Sequence, residues 1–441
     1  MKRYLYQNLI KWKSDPFRKP LLLLGARQTG KTFLLKEFGK KEYQNLVYCN
    51  FEEDPDLRGL FNGSLKPDGI LRSLESYFRI SIQQSADLVF FDEIQSCANA
   101  LNSFKYFCEE MPQVNIVAAG SLLGVKLTES TSFPVGKVNL RTLYPMSFPE
   151  YLEGQGETQI VRMLDEADGL KPLPTAIHAR LIDLLRSYYM VGGMPEAVKM
   201  FEATRSMARV REVHADILGS YVRDFAKHAP TDLIPKLSMI WDAVPAQLAR
   251  ENKKFVFSAL SKSARGREFA VALQWLRDAG LILTVHGVTT VQQPLAGFAD
   301  HGAFKVYMLD TGLLSTMARI PESLIVHPDQ LFTTYHGMLA ENYAAQQLAA
   351  GMQAPLYYWR SESYGAEIDF LLDKTPSIFP LEVKAGVNPR SKSLRSFDER
   401  FHPPKLMRTT LLNFVNQERI LNIPLYALHR LPWILERFVK M

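Results

Sequence analysis

Leu21-Leu22-Leu23-Leu24-Gly25-Ala26-Arg27-Gln28-Thr29-Gly30-Lys31-Thr32-Phe33 is the stretch from which the rest of the chain is read. Its middle fits Gly-x4-Gly-Lys-Ser/Thr, the phosphate-cradling loop of nucleoside triphosphatases. The four leucines predict a buried strand feeding the loop, and Phe33-Leu34-Leu35-Lys36-Glu37-Phe38 predicts the helix leaving it. Gly25 and Gly30 let backbone N–H groups turn toward phosphate oxygens, and the helix N-terminus adds positive potential. Lys31 is expected to reach the β- and γ-phosphates, and Thr32 to ligate magnesium (Mg2+) through its hydroxyl.

About sixty residues on, Leu88-Val89-Phe90-Phe91-Asp92-Glu93 has the form of a buried parallel strand ending in two carboxylates. Doubly wound sheets place ligands at that end of a strand. Asp92 is expected to hold the magnesium hydration shell, and Glu93 to polarise the water that attacks the γ-phosphate. A third strand, Val114 to Ala119, ends in Gly120-Ser121, where Ser121 is placed to sense the γ-phosphate. Asn45 to Asn50 is a further strand candidate.

At 441 residues the chain is too long for one core and suggests about three domains. A hydrophobic content of 47% with 22% charged residues is ordinary for a soluble globular protein, and no run reaches the length of a membrane span. No apolar stretch follows the basic N-terminus, so no secretory signal is expected. Cys49, Cys97 and Cys108 lack metal-ligand spacing and form no disulfide framework, which fits a reducing cytoplasm. A net charge of +6 permits nucleic-acid contact without demonstrating it.

Strand-like and helix-like segments alternate over residues 1–150, and residues 151–230 turn helical, with Leu181, Leu184, Leu185 and Tyr188 at helical spacing. Residues 231–300 read as a winged helix: an amphipathic helix from Arg267 to Ala279, a strand over Leu281–Val285, and a hairpin turn at His286-Gly287. Lys253, Lys254, Lys262, Arg265 and Arg267 lie where such a helix faces double-stranded DNA. In residues 301–441, Glu341 sits on a predicted helix, and Glu367 to Lys384 reads as a hairpin turning at Lys374-Thr375-Pro376. That hairpin brings Asp369 near Glu382 and Lys384. These are the parts of a metal-dependent phosphodiesterase site, in which Glu341, Asp369 and Glu382 hold magnesium and Lys384 helps activate water.

Several motifs converge on one family: Leu24 to Thr32, Phe91-Asp92-Glu93-Ile94-Gln95, Ala119-Gly120-Ser121, Tyr144 to Glu150, Gly192-Gly193-Met194-Pro195-Glu196, Phe304 to Leu313, Ala340-Glu341-Asn342 and the Glu367–Lys384 hairpin. In that order they resemble the prokaryotic AAA-type ATPases fused to a C-terminal domain of unknown function with a restriction-endonuclease-like fold. The resemblance implies an α/β chain: an AAA-like P-loop parallel sheet (1–150), a helical lid (151–230), a winged-helix connector (231–300) and a restriction-endonuclease-like α/β domain (301–441). It implies ATP as the nucleotide. Relatives carry Gly-Arg where this chain has Gly136-Lys137, so Arg141 and Arg223 are only candidate arginine fingers, and a finger acting in trans requires a homo-oligomer. Two tasks stay open: an ATPase coupled to DNA binding or processing, and a regulatory switch acting on an unidentified protein partner with an inactive tail.

Overall fold

A computed structural model describes residues 1–121, 134–250, 253–261, 265–321, 335–361, 365–386 and 391–439. The chain folds as two compact units. One comprises Lys2–Tyr144 with Asp278–Gly280, and the other comprises Pro145–Arg277 and Leu281–Met441 together with Met1.

The N-terminal unit runs α1 (Leu5–Ser14), β1 (Leu21–Gly25), α2 (Lys31–Glu42), β2 (Leu46–Asn50), α3 (Pro67–Phe78), β3 (Leu88–Asp92), α4 (Ala98–Glu110), β4 (Asn115–Ser121) and β5 (Asn139–Thr142). Its five strands form one parallel sheet in the order β2-β3-β4-β1-β5. The leucine run alternates between two cores. Leu21 and Leu23 pack with Phe90 and with Leu34, Leu35 and Phe38 of α2, while Leu22 and Leu24 share the opposite core with Phe91 and with Phe104 of α4. Burial on both faces is why these strands read as unbroken apolar runs. The same alternation puts Asp92 on the face of Phe90, which α2 covers. Register pairs Gly25 with Ser121 and Asn50 with Asp92, so the polar residues gather at the C-terminal edge of the sheet.

The C-terminal unit opens with helices α5 (Phe148–Gly154), α6 (Thr158–Glu166), α7 (Thr175–Val191), α8 (Pro195–Thr204), α9 (Met207–His228), α10 (Ile234–Leu248) and α11 (Gly266–Asp278). The helices read as a lid, 151–230, belong to this unit. Strands β6 (Ile282–Val288) and β7 (Ala299–Met308) follow, then α12 (Thr311–Met317) and α13 (His336–Met352). The chain continues with β8 (Leu356–Arg360), β9 (Glu367–Lys374), β10 (Ser377–Val383), α14 (Lys392–Phe401), β11 (Leu406–Thr410), β12 (Val415–Asn416), β13 (Ile420–Pro424) and α15 (Leu431–Val439). These strands form one mixed sheet in the order β12-β13-β11-β10-β9-β8-β6-β7.

The turn read at His286-Gly287 is absent, because β6 runs through both residues with only a register shift between them. A Cβ at Gly287 would lie 3.1 Å from the Tyr358 ring, so the glycine serves close packing of β8 on β6 rather than a turn. β6 pairs with β7 and, in parallel, with β8, and so is an inner strand of the large sheet rather than part of a separate wing. The β9–β10 hairpin pairs Lys374 with Ser377 across a two-residue turn, Thr375-Pro376.

Motifs without assigned chemistry meet in this unit as one buried knot. Ser147 and Glu150 form a capping box that starts α5. The Met146 N–H donates to the Gly193 carbonyl at 2.7 Å, and the Gly193 N–H donates to Asp310 Oδ2 at 2.6 Å. Gln346 donates to Asp310 Oδ2 at 3.1 Å and to Tyr188 Oη at 2.8 Å, and the Met308 N–H donates to Asn342 Oδ1 at 2.7 Å. A Cβ at Gly193 would lie 2.1 Å from the Met146 carbonyl oxygen, so only glycine allows that approach. Tyr188 and Tyr343, with ring centroids 5.7 Å apart, close the knot on its apolar side.

Candidate functional site

The loop after β1 is shaped by its glycines. A Cβ at Gly25 would stand 2.4 Å from the Leu143 carbonyl oxygen, and Gly30 caps α2 at φ 94°, in the left-handed region. Gln28 also has positive φ, 64°. Buried Thr29 donates its hydroxyl to the Ala26 carbonyl at 2.9 Å. Arg3, buried near the N-terminus, donates to the Thr29 carbonyl at 2.7 Å and also bonds the Tyr144 carbonyl, pinning the loop from behind. Lys31 is buried and donates to the Gly25 and Ala26 carbonyls at 3.0 and 2.9 Å. Thr32 follows it in the first turn of α2, and Phe33 is exposed.

The acidic end of β3 is oriented by neighbours. Asp92 Oδ2 accepts from the Tyr48 hydroxyl at 2.9 Å, and Oδ1 accepts from the Glu93 N–H at 3.1 Å. The Asn50 amide donates in turn to Tyr48 Oη at 3.1 Å, and the Lys36 ammonium lies 3.6 Å from the Tyr48 ring centroid. Glu93 is left-handed at φ 50° and accepts from the Gln95 amide at 2.5 Å. The Gln95 amide oxygen accepts from the Ser121 N–H at 3.3 Å, so one side chain links Glu93 to the end of β4. Burial pulls Lys31 down to about 8, against the charges of Glu93 and Asp92, which favour its ammonium form. A buried ammonium, a hydroxyl and a carboxylate at one sheet edge suit a polyphosphate with a hard divalent cation, whose ligands are oxygens.

Of the candidate fingers, Arg141 on β5 donates to the Leu140 carbonyl and Arg223 is exposed on α9, while Lys137, which stands where relatives carry arginine, pairs with Glu109 at 2.9 Å. Sequence reasoning gave no role to Arg3, Tyr48 or Gln95. Gln95 stands inside a motif quoted above, but nothing in its spacing says that its amide faces Glu93.

The second constellation departs from expectation. Asp369, Glu341 and Glu367 surround Lys305, which is completely buried on β7. The Lys305 ammonium lies 2.5 Å from Glu367 Oε1, 3.5 Å from Asp369 Oδ1 and 3.8 Å from Glu341 Oε2. Lys253 pairs with Glu341 Oε1, the Tyr307 hydroxyl donates to Glu341 Oε2 at 3.0 Å, and the Val383 N–H donates to Asp369 Oδ2 at 2.8 Å. Glu382 turns to other partners: Lys384 at 2.9 Å and the Ser391 hydroxyl. Among the described residues no group of three or more His, Cys, Asp or Glu side chains is arranged to hold a metal ion. The expected magnesium set of Glu341, Asp369 and Glu382 is therefore not assembled, because an ammonium group stands among the carboxylates. Burial and the charge of Glu341 raise Asp369 to about 7, while Lys253 and Lys305 outweigh burial at Glu341 and hold its carboxyl below the usual range. Of the five basic residues read as facing DNA, Lys253 is committed to Glu341, Lys254 is half-buried where the chain bridges to Lys305, Arg265 and Arg267 are exposed, and Lys262 lies outside the described residues.

Residues 17–152 match a family model described as an AAA domain. Residues 182–324 and 336–427 match two models described as domains of unknown function, DUF8612 and DUF4143. No curated protein matches the chain. Among solved structures, the Walker-type ATPase PABY2304 of Pyrococcus abyssi is 15% identical over 72% of this chain and 96% of its own, at a TM-score of 0.44. ORC1 of Aeropyrum pernix, in complex with DNA, is 13% identical over 73% and 92% at 0.28, and AMPPCP-bound DnaA of Aquifex aeolicus is 15% identical over 62% and 86% at 0.27. Likenesses this distant carry no argument. No helix among the described residues is long and apolar enough to cross a membrane. Residues 17–152, which carry the P-loop and the Asp92-Glu93 strand end, are thus matched as an AAA-type domain, and the later matches are to models of unknown function.

Proposed function

We propose that this protein binds ATP at the Gly25–Phe33 loop, hydrolyses it with Glu93 as general base, and couples turnover to DNA held by its C-terminal unit. The observation that carries the ATP part is the meeting of Lys31, Asp92 and Glu93 at one edge of a parallel sheet, with Lys31 in the electrostatic field of both carboxylates. Thr32 and Asp92 would hold the magnesium ion, which when bound neutralises phosphate charge. Lys31 exchanges the Gly25 and Ala26 carbonyls for phosphate oxygens, Gln95 keeps Glu93 in place, and Glu93 takes the proton of the attacking water. Support for the DNA part is a cleft of about 540 Å³ in the C-terminal unit, lined by Lys254, Arg360 and Arg400 among others, in a chain of net charge +6. The runner-up is a switch acting on a protein partner with an inactive tail, and the Lys305 ammonium among the carboxylates of the C-terminal cluster supports it.

Steady-state ATP turnover with and without duplex and single-stranded DNA tests the coupling. Duplex DNA is expected to raise the rate at about 50 mM salt, with the stimulation largely gone by about 200 mM as phosphate contacts are screened. A rate indifferent to DNA at both salts moves the reading to the switch.

Lys31 supplies a pH prediction. In the free protein it loses its proton near pH 8, and a bound polyphosphate favours the ammonium form. ATP binding at pH 8.5 is therefore expected to take up a proton, and affinity to fall as pH rises through about 8, by at most about tenfold per pH unit. Calorimetry in buffers of different ionisation enthalpy measures the uptake. An enthalpy independent of buffer at pH 8.5 sinks this account of Lys31.

A further inference from the structure

We propose that Lys305 is the resident cation of the C-terminal carboxylate cluster, standing where a divalent metal would stand, so that the tail neither binds such a metal nor cuts phosphodiesters with one. The proposal deepens the coupling reading by saying what the tail does not do to DNA, and its metal-binding test is independent of that reading.

Every oxygen of Glu341, Asp369 and Glu382 already has a partner. Glu341 Oε1 takes Lys253 and Oε2 takes the Tyr307 hydroxyl. Asp369 Oδ2 takes the Val383 N–H, and Oδ1 faces Lys305. Glu382 gives Oε1 to Lys384 and Oε2 to Ser391. A hard divalent ion needs several oxygens turned to one point, and here the oxygens of Glu341, Glu367 and Asp369 that converge do so on the Lys305 ammonium. Charge points the same way: Glu341, Glu367 and Asp369 already face two ammonium groups, so an added dication would leave the cluster net positive.

The lysine is also fixed in its place. It sits on β7 between Phe304 and Val306, opposite Val285 of β6, with Tyr307 two residues on along the same face. Its ammonium lies 5.1 Å from the Tyr358 ring centroid. No part of it reaches solvent, so a metal could enter only by displacing a buried charge from its partners.

Manganese(II) titration of the full chain without nucleotide, followed by electron paramagnetic resonance, tests this. Wild type is expected to show no saturable site on the tail, and Lys305→Met to gain one of about 10⁻⁴ M or tighter, lost again when Asp369→Asn is added. Wild-type binding that disappears in Asp369→Asn overturns the proposal. So does magnesium- or manganese-dependent DNA cleavage by wild type that Asp369→Asn abolishes. Those two arms need no change at Lys305 and decide the matter even where Lys305→Met fails to fold. A folded Lys305→Met with its ATP turnover intact and no gained site also overturns it. Absence of DNA stimulation in the ATPase assay touches only the coupling reading.

Discussion

Glu93→Gln is expected to bind ATP as wild type does and to lose about 10²-fold or more in turnover, the contribution of a positioned general base. The geometry makes the substitution conservative. Glu93 is held by its left-handed backbone and by the Gln95 amide, and Asp92 keeps its contacts with Tyr48 and with the backbone N–H of residue 93. An amide in place of the carboxylate fills the same volume but cannot accept the proton that the attacking water must lose. Lys31→Ala is the contrasting variant. It removes the ammonium that now fills the loop, so nucleotide binding itself should be lost, because phosphate recognition there rests on that charge and on backbone N–H groups. Binding of a fluorescent ATP analogue separates the two variants, and single-turnover rates measure the chemical step. Turnover in Glu93→Gln within about threefold of wild type would place the base elsewhere, because general-base help is worth far more than that.

How much of this was legible in sequence depended on whether the physics was local. The run Leu21–Leu24, the loop glycines and the Asp92-Glu93 ending each bear their requirement within a few residues. Both faces of the sheet are buried, so its strands are unbroken apolar runs, and the ligand edge must be polar. Gln95 and Tyr48 act across the sheet, through partners set by strand order, and no local pattern announces them. His286-Gly287 misled because glycine serves two purposes: it ends hairpins, and it also admits a neighbouring ring, here Tyr358. Lys305 did leave a signal. A lysine inside Phe304-Lys305-Val306-Tyr307-Met308, a run otherwise fit for burial, must find counter-charges, and Glu341, Glu367 and Asp369 were the carboxylates at hand. Those acids carry the residue types of a metal site, but all three face the buried lysine instead.

Asp310→Ala is expected to destabilise the C-terminal unit by about 3–5 kcal/mol, since each buried donor left unpaired costs about 1–3 kcal/mol. Three donors lose their acceptor at once: the Gly193 N–H at 2.6 Å, the Leu313 N–H at 3.0 Å and the Gln346 amide at 3.1 Å. The Leu313 bond caps α12, so that helix loses its start as well. No water reaches the site to compensate, because Asp310 is wholly buried and the backbone around it is closed: a Cβ at Gly192, itself at φ 69°, would lie 2.1 Å from Asp310 Oδ1. Burial raises the Asp310 carboxyl to about 6, although the bonded N–H groups pull it down. A carboxyl whose folded pKa is raised contributes stability that is complete below its unfolded value of 3.8 and fades as pH rises through about 6. The loss on substitution should therefore be larger at pH 5 than at pH 7.5. Four of the five tryptophans, Trp241, Trp275, Trp359 and Trp433, lie in this unit, so denaturant unfolding of the full chain followed by tryptophan fluorescence reports mainly on it. With two units the transition is read as a midpoint and slope rather than as a single two-state free energy. An unshifted midpoint in Asp310→Ala means that the knot joining Met146, Gly193, Asp310 and Gln346 contributes nothing to the stability of the fold, and that its close backbone contacts serve some other end.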